Sequence, residues 1–201
     1  IVVVYRLLSK DMAADVFVEL DPDMQENLIN AFSDKELKNV LDDIFMDDTV
    51  DLIEEMPASV VKRILRAQNS DDRKMINELL RYPEDSAGSI MTTEFVDLKE
   101  NMTVEKAIEK IRNVGDDVES IYVCYVLTLT RQLIGIVSLK DLIMANKVTL
   151  VKDIMDKNFI KVSTLEEQEE VAKKFDKYDE ISLPVVDNED RLVGIVTVDD
   201  A

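Results

Sequence analysis

The sequence predicts two bodies of different class. An all-α superhelical N-terminal domain covers residues 1–82, a linker follows at 83–88, and an α+β pair of two β-α-β-β-α units takes residues 89–148 and 149–201, the second truncated before its last helix. Three observations carry this. Up to residue 82 the apolar residues recur at helical spacing, as in Ala14, Phe17, Val18 and Leu37, Val40, Leu41, Ile44, without strand alternation. Helix-start signals fall every 10 to 14 residues through that stretch, the interval of a superhelical stack of short helices that bury one another's apolar faces, with an irregular helical bundle as the alternative. Beyond Gly88 the composition changes, and three blocks repeat in the same order at a period near 60.

The start signals are Asp21-Pro22, with Pro at the first helical position; Ser33 with Glu36, a capping box; Asp47 or Asp48; Met56-Pro57; and Ser70 before Asp71-Asp72. Tyr82-Pro83-Glu84-Asp85-Ser86-Ala87-Gly88 reads as a linker, because Pro83 disfavours helix at Tyr82 and Gly88 frees the chain to turn. Strands are expected at Phe95–Leu98, Ile121–Val126 and Leu133–Val137, and helices at Val104–Val114 and Leu139–Asn146. The repeat matches Ser89-Ile90-Met91-Thr92 to Asp153-Ile154-Met155-Asp156, Glu105-Lys106-Ala107 to Glu169-Glu170-Val171, and Leu133–Leu142 to Leu192–Ala201.

Composition excludes several functions. With 43 acidic against 24 basic residues the formal charge is -19, a field that repels nucleic-acid phosphates and anionic lipid surfaces and favours cations. The excess is spread over both halves, so neither is a detachable acidic tail. A single cysteine, Cys124, in an apolar strand run allows no internal disulfide and fits a reducing compartment. The absence of histidine removes histidine-based nucleophile systems, histidine zinc sites and histidine pH switches. The glycines are isolated, so no phosphate loop is present, and an enzyme is not expected. The longest uncharged run, Ser120–Thr130, is too short to span a bilayer. The Ile1-Val2-Val3-Val4-Tyr5 opening has no signal-peptide features, and with the stop at Ala201 it suggests a piece of a longer chain.

Paired 60-residue units with Ile-Met near the start and Gly-Ile-Val-(Ser/Thr)-x-x-Asp at the end resemble a tandem of CBS domains. Preceded by a helical stack and Tyr82-Pro83-Glu84-Asp85-Ser86-Ala87-Gly88-Ser89-Ile90-Met91-Thr92, the pair is similar to the cytosolic part of MgtE-family magnesium transporters across nearly the whole chain. That resemblance implies a homodimer formed through the CBS domains, a C-terminal transmembrane domain of the same chain beyond Ala201, and a place at the cytoplasmic face of the cell membrane. It also implies magnesium sensing that gates the membrane pathway.

Asp47 and Asp51 stand one helical turn apart, so their carboxylates share a face, with Asp48 beside them. Such oxygen donors suit Mg2+, which takes one or two protein carboxylates and keeps several waters. Asp47 and Asp48 equally read as helix caps, and Glu166, Glu167, Glu169 and Glu170 as a solvated face. The resemblance assigns sensing carboxylates to Asp15, Asp47 and Asp51 in the helical domain and to Glu169, Asp179 and Asp200 in the second CBS domain. It also implies an adenine-nucleotide cleft at Ser138, Lys140 and Asp141, with Thr197 and Asp200 as their counterparts. Glu180 stands where the family often places an aromatic or apolar residue against the base, so at most weak ATP binding is expected. Ser138 and Thr197 read equally as caps of the following helix. Two rival readings are a nucleotide-sensing CBS module of another channel or enzyme, and a protein-binding scaffold whose CBS pair only dimerises.

Overall fold

The structure, a computed structural model, describes residues 1–201 apart from the side chain of Asp11. It divides into two compact units, Ile1–Arg81 and Tyr82–Ala201.

The first unit is a run of helices: α1 (Val2–Tyr5), α2 (Lys10–Val18), α3 (Pro22–Ala31), α4 (Asp34–Leu41), α5 (Met46–Glu55), α6 (Ala58–Ala67) and α7 (Ser70–Leu79). Side-chain caps set three of the seven starts. Asp21 Oδ1 accepts the Met24 N–H at 2.9 Å with Pro22 behind it, and Ser33 and Glu36 exchange hydrogen bonds across the first turn of α4. The backbone N–H of Ser33 and the Arg6 guanidinium, 2.8 Å away, hold the Glu36 carboxyl down at about 2. Two starts differ from expectation. Helix α7 is capped by Asn69, whose side-chain oxygen receives both the Asp71 and Asp72 N–H groups, and Ser70 becomes the first helical residue. Helix α5 begins at Met46, which puts Asp47 and Asp48 inside its first turn, where carboxylates favour the positive end of the helix dipole.

Helices two apart in sequence pack on each other, α2 on α4, α4 on α6 and α5 on α7. This is the stacking pattern that the regular starts predict. Phe17, Leu28, Ile29, Leu37, Leu41, Ile64 and Ile76 form the interior, with Tyr5 tilted against Phe32 at 5.4 Å between ring centroids. Arg63 of α6 donates to the carbonyl oxygens of Ile29 and Phe32, satisfying the otherwise open end of α3.

The second unit holds two copies of one module. The first has β1 (Phe95–Lys99), α8 (Val104–Val114), β2 (Ser120–Leu127), β3 (Leu133–Ser138) and α9 (Leu139–Met144). The second follows a short α10 (Val151–Ile154) with β4 (Val162–Ser163), α11 (Gln168–Tyr178), β5 (Ser182–Val186) and β6 (Leu192–Thr197). In each, the first strand pairs parallel and the third antiparallel to the second. The registers Cys124↔Val137 and Val126↔Gly135 recur, each residue 59 positions on, as Leu183↔Val196 and Val185↔Gly194.

The modules complete each other. Thr92, leading into the first, exchanges two 2.9 Å backbone hydrogen bonds with Ile195 on β6, and Asp156, leading into the second, exchanges two of 2.8 and 2.9 Å with Ile136 on β3. A β-carbon on Gly194 would meet the Thr92 carbonyl at 2.7 Å and Met91 Sδ at 2.6 Å; on Gly135 it would meet the Asp156 carbonyl at 2.9 Å and Met155 Sδ at 2.8 Å. Between them, Tyr125, Leu127, Leu133, Val186, Leu192 and Ile195 form a core belonging to both modules, and the buried Tyr125 hydroxyl meets Ser182 Oγ at 2.8 Å.

The Tyr82–Gly88 stretch is fastened to this unit. The Ala87 and Gly88 N–H groups donate to the carbonyls of Glu166 and Thr164 at 2.8 and 2.9 Å, and Gln168 N donates to the Asp85 carbonyl at 2.7 Å.

Because backbone cannot yield as a side-chain tip does, Gly194→Ala and Gly135→Ala should each cost about 1–3 kcal/mol. Chemical denaturation of the tandem unit should show this as a lowered midpoint. Unchanged midpoints for both variants would contradict the close reciprocal packing.

Candidate functional site

Helix α5 turns its buried residues Val50, Leu52 and Ile53 inward and carries Asp47, Asp48, Asp51 and Glu55 on the rest of its surface. Asp47 Oδ1 accepts the Asp48 N–H at 3.0 Å. Asp48, Asp51 and Glu55 line a cleft of about 290 Å³ that Phe17, Pro22, Gln25 and Leu52 share. Gln25 is buried there; its amide donates to the Phe17 carbonyl at 3.0 Å, and its Oε1 has no partner. Asp15, on α2, is exposed and does not line this cleft.

In the second unit the predicted carboxylates are distributed along one helix and one strand end. Glu169 is exposed in the first turn of α11, and Asp179 ends the same helix in the left-handed conformation at φ 56, ψ 39. Ten residues at a rise of 1.5 Å put their backbones about 15 Å apart, so no single ion can be held by both. Asp200 is exposed just past β6 and accepts a hydrogen bond from Thr197 Oγ1. The neighbour of Glu169, Gln168, donates to the Asp200 carbonyl at 3.4 Å, which sets the start of α11 beside that strand end. Among the described residues, no three carboxylates or thiols come close enough to form a ready metal cage. Scattered oxygen donors without histidine suit a hard, well-hydrated cation held by one or two carboxylates at a time, which is the chemistry of Mg2+.

Ser138 and Asp141 form a local pair. Ser138 Oγ donates to Asp141 Oδ2 at 2.5 Å and accepts the Asp141 N–H at 3.0 Å, so Ser138 does cap α9. Thr197 and Asp200 repeat this side-chain contact 59 residues on. Asp141 and Asp200 are therefore equivalent positions, one expected to face a ribose and the other a metal. Lys140 is exposed on the first turn of α9. Glu180, half-buried before β5, is close enough for its charge to act on the Tyr125 phenol, which burial raises well above its ordinary value. This inter-module Tyr125–Ser182 bond has no sequence signature, because partners 57 residues apart are joined only by the fold.

Comparison with known proteins follows these two units. The model of the MgtE intracellular N domain matches residues 1–85, and the CBS domain model matches 87–147 and 151–201. The crystal structure of the cytosolic domain of the Mg2+ channel MgtE in complex with ATP superimposes with a TM-score of 0.92 at 40% identity, covering 98% of this chain and 81% of that one. The chain belongs to the MgtE family. The magnesium transporter MgtE of Thermus thermophilus is 40% identical over 98% of this chain, and that of Bacillus subtilis 34% over 96%. The chain spans somewhat under half of each transporter, 45% and 43%. As an MgtE-family chain it carries the helical N domain and the CBS pair, and these relatives are transporters rather than enzymes. No helix among the described residues is long and apolar enough to cross a membrane.

Cys124 is poorly placed to act as a nucleophile. It is wholly buried, and burial pushes its thiol up to about 12, against a small lowering from the charge of Lys110. Since the thiolate is the reactive form, iodoacetamide at pH 8 should label Cys124 only after denaturation. Rapid stoichiometric labelling of the folded protein would contradict this.

Proposed function

We propose that this region senses magnesium and regulates passage of the ion through a membrane domain of the same polypeptide. The observation that carries the reading is a match to the MgtE cytosolic domain over 98% of the chain, in a protein whose surface carries a large excess of carboxylates. The mechanism is electrostatic. Carboxylates on separate surfaces repel one another, and sodium screens them only weakly at close approach. A divalent ion shared between two such surfaces is bound well only when they are close, and this difference in affinity shifts the population towards a compact state. Asp47 and Asp51 on α5, with Asp15, supply the donors of the helical unit, and Glu169, Asp179 and Asp200 those of the CBS pair. Given their spacing, Glu169 and Asp179 serve different ions. Movement reaches the membrane domain through a homodimer assembled on the CBS units at the cytoplasmic face.

A nucleotide adds a second input. The structural relative holding ATP and the Ser138–Asp141 pair beside Lys140 support a site at the first module, with Asp141 accepting ribose hydroxyls. Glu180 brings charge and no stacking face, which keeps the affinity low.

Two experiments check these readings. An ion bound only by the folded state stabilises it by about 2.7 kcal/mol at one hundred times its dissociation constant. Magnesium should therefore raise the thermal midpoint where sodium at equal ionic strength does not, and Asp47→Ala with Asp51→Ala should remove most of the rise. Equal effects of the two cations would leave only generic screening. For the nucleotide, calorimetry should find weak ATP binding that Asp141→Ala abolishes; sub-micromolar affinity, or indifference to the substitution, would contradict the assignment.

A further inference from the structure

The acidic total conceals one local reversal. Helix α6 carries Lys62, Arg63 and Arg66 and no acidic residue. With Ser59 they recur at i, i+3, i+4 and i+7, a single helical face, while Val60 and Ile64 are buried in the core. This face lines a cleft of about 460 Å³ whose other wall includes Asp34 and Leu37 of α4. Arg63 is fixed in place by the Ile29 and Phe32 carbonyls and lies 3.3 Å from Asp34 Oδ1. Lys62 and Arg66 are exposed and engage in no ion pair among the described residues.

Charge at the cleft is thus three cations against one lining carboxylate, and the Asp34 side chain is 96% exposed, so water screens it. Glu36, the next acid on α4, is already committed to Arg6 and to the Ser33 N–H. Other exposed lysines and arginines also stand outside ion pairs, but Lys62 and Arg66 share one concavity with Arg63 and only one lining carboxylate. Arg66 does suit the negative end of its own helix, but that accounts for neither Lys62 nor the concave shape.

We propose that this cleft binds a small phosphate-bearing anion. Lys62 and Arg66 supply the charge partners, Ser59 a neutral hydroxyl donor and Arg63 a fixed positive background. The volume lies within the roughly 300–1,000 Å³ of small-molecule sites. Phosphate offers several acceptors to a lysine ammonium and to the arginine fork at once. Its source is a free anion rather than a lipid headgroup. The field of a chain at -19 opposes a whole anionic bilayer, whereas an ion inside the cleft lies within the Debye length of about 8–10 Å of the local cations.

The test is a magnetic-resonance titration of the nitrogen-15-labelled chain with inorganic pyrophosphate, without magnesium and at constant ionic strength. Saturable shifts are expected in residues 33–37 and 59–67. Lys62→Gln with Arg66→Gln should weaken the affinity roughly tenfold or more without lowering the thermal midpoint, since Arg63 keeps its structural bonds. Asp141→Ala should leave it unchanged, which separates this site from the nucleotide cleft. Shifts reproduced by sodium chloride, or an unaltered affinity in the double variant, would overturn the proposal. So would capture by phosphatidylcholine vesicles containing phosphatidylglycerol, but not by phosphatidylcholine alone, without any pyrophosphate response, because the ligand would then be a membrane.

Discussion

Electrostatic self-repulsion is the constraint under which this chain folds and the force that its proposed magnesium response answers. Nineteen uncompensated negative charges cannot be buried, so they occupy helix surfaces, helix first turns and strand ends. Each unit closes its own interior of aliphatic and aromatic side chains, which sets hydrophobic burial against the repulsion. Ion pairs contribute little, since most are exposed and solvent screens them. Partly buried Asp97 is an exception in character: burial raises its carboxyl, but the hydrogen bond and charge of Lys110, with Lys99, outweigh this and hold it below the ordinary range. The surface charge is left for cations to answer.

Within the CBS pair the two modules are joined backbone to backbone. Each module's leading segment is bonded to the other's last strand, through Thr92 on Ile195 and Asp156 on Ile136, with Met91 over Gly194 and Met155 over Gly135. A change at one module therefore meets packed backbone of the other rather than a soft loop. Asp200 follows the strand that Thr92 joins, and Asp141 follows the strand that Asp156 joins. The proposed ion and nucleotide positions thus sit at equivalent ends of one reciprocal joint.

What was legible in the sequence was local or repeated. Asp21-Pro22 and Ser33 with Glu36 act within one turn and fix helix starts whatever surrounds them, and the 59-residue repeat reappears in the strand registers. Asn69 displaced Ser70 because its longer side chain reaches two backbone N–H groups at once, a competition that composition does not decide. Helical periodicity put Asp47 and Asp51 on one face, yet only the length of α11 shows that Glu169 and Asp179 are too far apart to share an ion. Tyr125 and Ser182, and the glycine contacts with Met91 and Met155, depend on chain separations that no local pattern records. The basic face of α6 was present in the spacing of Lys62, Arg63 and Arg66, but the net charge masked it.

The central claim, that magnesium answers the repulsion between acidic surfaces, is tested most directly by small-angle scattering of the chain in matched ionic strength. Magnesium should reduce the radius of gyration along a saturable curve, and sodium should leave it near its starting value. An equal contraction in sodium, or none in magnesium, would contradict the account.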